Sequence, residues 1–132
     1  MRIILLMLVY LLFVSHAFSQ KSSYCEIIQF VTKSEIFQKR FHICNYSSEV
    51  YIIDTLNHFR ACDFIQACGK KVIISDTIIV PNRDVIQLYK VDHFGNKYNL
   101  YFHRLLTGAT LIMKVKKKRK TVTLLSYREG AF

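Results

Sequence analysis

One proline and four glycines in 132 residues leave this chain little material for linkers, and no low-complexity stretch or internal repeat interrupts it. Aromatic and β-branched residues are abundant instead, which excludes a disordered chain. The catalytic signatures are missing as well. No Gly-x-Ser-x-Gly elbow is present, and no serine sits in a recognisable triad pattern. Neither Cys-x-x-Cys nor His-Glu-x-x-His spacing occurs, so the common zinc motifs are absent. Carboxylate pairs for glycoside hydrolysis are made by folding rather than spacing, and Asp76 and Asp92 read only as strand-end acids. Acidic residues are few, 9 against 19 Lys and Arg, for a formal charge of +10.

What is present begins with an address. Arg2 precedes an apolar run from Ile3 to Val14, and Ala17-Phe18-Ser19 places small residues where a signal peptidase reads. This is the pattern of an export signal. The run is twelve residues long, whereas a bilayer-spanning helix takes roughly twenty, so cleavage after Ser19 is expected rather than anchoring. The expected organisation is a signal peptide over 1–19 and one secreted or periplasmic domain over 20–132. The mature part keeps 18 basic and all 9 acidic residues, hence +9, and six of its cations lie between Lys114 and Lys120.

All four cysteines, Cys25, Cys44, Cys62 and Cys68, fall after the signal. An even number in an exported chain reads as two disulfides. Three pairings are open, and sequence proximity points to Cys62 with Cys68 and Cys25 with Cys44. A lipid anchor is disfavoured, because Cys25 follows Ser22-Ser23-Tyr24 instead of directly following the apolar run.

Ser23 with Glu26 forms a capping-box pattern, after which Ile27, Phe30, Val31 and Phe37 recur near helical spacing. A helix is expected from Tyr24 to Gln38. Residues 41–54 read as strand, turn and strand around Asn45-Tyr46-Ser47-Ser48, and 56–70 as an irregular, stapled stretch. From Lys71 onward strands alternate with turns. Val72 to Val80 ends at the turn Pro81-Asn82-Arg83-Asp84, and Val85 to His93 is followed by Gly95-Asn96, the residue types a tight hairpin needs. Across that hairpin Val91 is expected opposite Leu100, Tyr89 opposite Phe102, Lys90 opposite Tyr101 and Leu88 opposite His103. With Lys117 to Lys120 as a four-residue loop, Val115 meets Val122, Met113 meets Leu124, and Lys114 and Lys116 face Thr123 and Thr121.

The expected fold class is therefore α+β, an N-terminal helix packed on a curved antiparallel meander of four to six strands. The layout resembles the cystatin-like and NTF2-like architectures. The resemblance carries no functional residue over: Gln29-Phe30-Val31-Thr32-Lys33 lacks the glycine of the cystatin inhibitory pattern, and such folds host many activities.

The sharpest surface feature is the run Lys114, Lys116, Lys117, Lys118, Arg119 and Lys120. On a hairpin these side chains repel one another unless an anion lies near, and the alternative is a solvated loop whose lysines discourage edge pairing. Nucleic-acid binding also wants aromatic platforms among the charges, and Tyr127 is the nearest in sequence. Export excludes a nuclear-localisation role. His103 and Lys90 share a predicted sheet face, an arrangement that invites comparison with acid-base chemistry on RNA. His42, Cys44, His58, Cys62 and Cys68 are possible metal ligands, but in an oxidising compartment the thiols go to disulfides. Asn45-Tyr46-Ser47 is a glycosylation sequon, relevant in a eukaryotic source.

These observations point to a small exported, non-enzymatic protein without a cofactor that works by binding or as part of an envelope or extracellular assembly. Its expected partner is an anionic polymer, a lipid surface or an acidic protein. The competing readings are a hydrolase acting on an anionic polymer, and an inhibitor or immunity-type protein that blocks an enzyme. The last strand, Thr121 to Arg128, also offers an edge for a partner strand or a second copy.

Overall fold

The structure is a computed structural model that describes residues 2–59, 62, 65–77 and 84–131. It is an α+β fold. Among the described residues, helix α1 (Arg2–Lys33) is followed by a short α2 (Glu35–Arg40), a 3-10 turn at Ile43–Asn45, and seven strands: β1 (Val50–Asp54), β2 (Gln66–Ala67), β3 (Lys70–Ser75), β4 (Val85–Phe94), β5 (Lys97–Arg104), β6 (Ala109–Lys118) and β7 (Thr121–Ala131). They form one curled sheet in the order β2-β3-β1-β4-β5-β6-β7.

The expected antiparallel meander is β4 to β7. The other half differs from expectation. β1 lies parallel to both β3 and β4, so the sheet is mixed. Residues 41–48 supply no first strand, because the chain turns at His42 (φ 52°) into the 3-10 turn. The strand expected over Val72 to Val80 stops at Ser75 within the described residues, and most of the turn expected at Pro81-Asn82-Arg83-Asp84 lies outside them.

The helix expected over Tyr24 to Gln38 is two helices. Ser34 takes an extended conformation (ψ 142°) and its hydroxyl caps α2, accepting from the Phe37 N–H at 3.3 Å. That bend lets Phe37 and Phe41 close on Phe102, with ring centroids 5.1 Å and 6.4 Å away. At the other end α1 does not begin at Ser23 but runs on from Arg2. Its side chains over residues 3–14 are exposed, whereas Ile27, Ile28 and Val31 are fully buried. No helix among the described residues is long and apolar enough to cross a membrane.

The core is built by α1 and α2 against one face of the meander, where Leu88, Leu100, Phe102, Leu111, Met113 and Val115 are fully buried. Two bulges set which residues face it. In β4 the register shifts at Tyr89, so Leu88 pairs with Phe102 and not with His103. Strict alternation would have turned Tyr89 inward; the extra residue delivers the aliphatic Leu88 instead. Beyond it, Val91 meets Leu100 and Lys90 meets Tyr101 as expected.

In β7 the second shift follows a shorter loop than expected: Lys118 pairs with Thr121, leaving only Arg119 and Lys120 in the turn. Val115 therefore meets Leu124, Met113 meets Tyr127, Lys116 meets Thr123 and Lys114 meets Ser126. Gly95 takes φ 59° in the other tight turn, a conformation that suits glycine.

The disulfides are Cys25–Cys62 and Cys44–Cys68, with Cα atoms 5.2 Å and 5.3 Å apart. Both expected pairings are corrected. Cys62 is turned into the core, 8% exposed, beneath α1 and within reach of Cys25. Cys68 is exposed at the β2–β3 turn with φ 52°, where it meets Cys44 of the 3-10 turn. The two bonds tie α1 and the helical connection to the parallel half of the sheet. Two disulfides fit maturation in an oxidising environment.

Candidate anion-binding face

The basic run does not act as one cluster, because alternation along β6 sends its side chains to opposite faces. Lys117 points to the helix side, 11% exposed, and pairs with Glu26 of α1 at 2.8 Å. It is a structural cation. Lys114, Lys116 and Lys118 point outward, and Arg119 and Lys120 stand exposed at the turn.

The outward lysines acquire neighbours that linear reading missed. One row across the sheet is Phe94, Lys97, Lys116 and Thr123; the next is Asp92, Asn99, Lys114 and Ser126; the third is Lys90, Tyr101, Ile112 and Arg128. Lys97 and Arg128 thus extend the basic stripe from the hairpin down the outer face. Two open grooves follow it. One of about 530 Å³ lies among Lys116, Lys118, Arg119, Thr121 and Thr123, and one of about 320 Å³ runs past Asn99, Tyr101, Lys114, Ser126 and Arg128.

Cations beside hydroxyl and amide donors, within one groove, suit the oxygens of sulfate, phosphate or carboxylate groups. None of Lys97, Lys114, Lys116, Lys118 or Arg128 pairs with an acid among the described residues. Asp92 is held by Lys90 at 3.7 Å and by the Tyr101 hydroxyl at 3.0 Å, and that bond raises the Tyr101 pKa above its ordinary value.

His103 and Lys90 lie on this same side of the sheet as expected, with His103 opposite Gln87 and Thr110. Lys90, however, is engaged by Asp92 and by the Tyr101 ring, 5.1 Å from its centroid. The thiols proposed as metal ligands, Cys44, Cys62 and Cys68, are all in disulfides. Tyr127, half exposed, borders the second groove, and the aromatic neighbours of the stripe also include Tyr101 and Tyr89, with ring centroids 5.9 Å apart.

Arg119 holds φ 60° at the two-residue turn, a left-handed conformation that costs a non-glycine residue about 1–2 kcal/mol. Arg119→Gly is therefore expected to raise stability by about 0.5–1 kcal/mol while removing a tip charge. Urea denaturation checks the first effect and retention on a heparin column the second.

A second polar feature was not legible in the sequence. At the end of the sheet remote from the basic turn, a cleft of about 470 Å³ is lined by Asn45, Tyr46, Glu49, Tyr51, Asp84 and Arg104. Its floor is an ion pair: Arg104 donates through Nε to Asp84 Oδ2 at 2.7 Å, through Nη2 to the same oxygen, and through Nη1 to the Phe41 carbonyl at 3.0 Å. The Arg104 guanidinium lies over the Tyr46 ring at 5.4 Å, and the Tyr46 hydroxyl donates to Asp84 at 3.2 Å.

Burial, and then the Asp84 charge, push the Tyr46 pKa up to about 12 from an ordinary 10.0. A pKa raised on folding stabilises the native state below the unfolded value, and that contribution disappears as pH climbs from 10.0 to about 12. The loss is expected to be about 1–2 kcal/mol after allowing for solvent at this half-buried ring. Tyr46→Phe is expected to flatten the alkaline limb of a stability-versus-pH curve measured by urea denaturation.

No protein-family model, curated protein or solved structure matches the chain.

Proposed function

We propose that this is a small exported, non-enzymatic domain that binds an anionic partner through the outer face and tip of its β4–β7 meander. The observation that carries the reading is the stripe of cations Lys97, Lys114, Lys116, Lys118 and Arg128 on adjacent strands, none paired with an acid among the described residues, interleaved with hydroxyl and amide groups. Holding such charges side by side destabilises the free protein, and a polyanion relieves the repulsion.

Heparin chromatography tests it. Lys114→Gln with Lys116→Gln, and separately Lys118→Gln with Arg119→Gln and Lys120→Gln, are expected to elute at lower salt. Lys117 is left in place because it holds Glu26. Elution unchanged in both sets would reject the reading. No observation at the site favours the hydrolase alternative.

Residues 1–19 are read as a leader removed on export. The exposed side chains of residues 3–14, set against the full burial of Ile27, Ile28 and Val31 further along the same helix, support this. The intact mass of the exported protein is expected to place its first residue at Gln20, and a chain beginning at Met1 would overturn the assignment.

A further inference from the structure

One end of the meander carries a feature that simple polyanion binding does not use. Phe94 stands at the β4–β5 turn, 77% exposed, on a chain that otherwise buries its meander phenylalanine, Phe102, completely. Lys97 and Lys116 share its row across the sheet. The β6–β7 turn, with Lys118, Arg119 and Lys120, lies at the same end, tied to the first turn by the Lys117 N–H donating to the Asn96 carbonyl at 2.8 Å. An apolar ring projecting from a collar of long cationic side chains matches the boundary between acyl chains and anionic headgroups. The ring enters the apolar side while the ammonium groups stay with the phosphates.

The orientation of α1 agrees. Glu26 meets Lys117 and Tyr24 meets Tyr98 near the two turns, while α2 reaches the opposite end, where Arg40 donates to the Thr110 carbonyl. The N-terminal part of α1 thus enters the fold at the end that carries Phe94, and before leader removal its apolar residues would lie on the same side.

We propose that this end of the sheet docks on an anionic membrane surface, with Phe94 seated at headgroup depth and Lys97, Lys116, Lys118, Arg119 and Lys120 on lipid phosphates. The proposal rests on the anion-binding reading above and adds the partner's class.

The absence of tryptophan from the chain makes the test direct. Phe94→Trp installs a sole tryptophan reporter, and its emission is expected to shift to the blue with phosphatidylcholine vesicles containing phosphatidylglycerol, and not with phosphatidylcholine alone. In co-sedimentation of the exported protein with the mixed vesicles, Phe94→Ser is expected to weaken partitioning about tenfold. The Lys118→Gln, Arg119→Gln, Lys120→Gln variant should weaken it by about a hundredfold, near fivefold per charge. Leu106→Ser, at the opposite β5–β6 turn and 75% exposed in the parent, controls for indiscriminate adhesion and should bind like the parent.

Retention on heparin with no binding to either vesicle overturns membrane docking and leaves the anion-binding reading standing, with a soluble polyanion as partner. Loss of both overturns both. Unshifted emission, or equal weakening by Leu106→Ser, also rejects the proposal.

Discussion

Replacing Cys25 and Cys62 together by alanine is expected to lower the unfolding free energy by about 4 kcal/mol, and replacing Cys44 with Cys68 by about 3.5 kcal/mol. Closing a loop removes conformations from the unfolded chain in proportion to the logarithm of its length, and the two bonds span sequence separations of 37 and 24 residues. Domains of this size are stable by only about 5–15 kcal/mol, so reduction of both bonds consumes much or all of the margin.

The first pair should have an effect beyond loop entropy. Cys62 is 8% exposed in the core cluster alongside Ile27, Ile28 and Phe59, so truncating it also removes packing beneath α1. Differential scanning calorimetry of the Cys25→Ala, Cys62→Ala variant is expected to show a melting temperature about 15–25 °C below the parent. A drop of only a few degrees would mean that α1 is held by its other contacts. Mass mapping of a non-reduced digest tests the connectivity independently, since only a crossed linkage joins the Cys25 peptide to the Cys62 peptide.

The disulfides also show where linear reading stopped short. Proximity along the chain favoured Cys62 with Cys68, but the short hairpin of β2 and β3 turns Cys68 outward while Cys62 faces the core. What decided the pairing was the direction of each Cα–Cβ bond, which spacing does not encode. Local patterns fared better. Gly95-Asn96 marked the β4–β5 turn, and Val91 does face Leu100, because a two-residue hairpin fixes its own register.

Bulges broke that logic at Tyr89 and beyond Lys114, since a period of two cannot announce an inserted residue. The parallel pairing of β1 with β3 and β4 was invisible for a different reason: its partners are separated by long connections and leave no turn signature. The candidate site divides in the same way. The run Lys114 to Lys120 was plain in the sequence, whereas its split into an inward Lys117 and outward Lys114, Lys116 and Lys118 needed the strand. The recruitment of Lys97 and Arg128 needed the neighbouring strands as well.

Arg104→Ala is expected to cost about 3 kcal/mol, the low end for breaking a buried ion pair, because Arg104 and Asp84 keep 13% and 19% of their side-chain surface exposed. The loss is more than one contact. The guanidinium joins Asp84 at the start of β4, the Phe41 carbonyl after α2 and the Tyr46 ring after the 3-10 turn, so it binds the helical connection to the sheet. Its removal leaves the Asp84 carboxylate, whose Oδ1 has no hydrogen-bond partner among the described residues, without its counter-charge. The Asp84 hydrogen bond is also the main cause holding the Arg104 pKa above its ordinary value.

Asp84→Ala should cost a similar amount by stranding the arginine, and the double variant should cost clearly less than the sum. A coupling energy of about 1–3 kcal/mol in that cycle is the signature of a direct pair. Arg104→Lys is expected to recover only part of the loss, because one ammonium group cannot reach Asp84 and the Phe41 carbonyl together as the planar fork does. Additive single losses in urea denaturation, or full rescue by lysine, would show that Arg104 acts through packing of its aliphatic stem rather than through the three-way link between helix, turn and sheet.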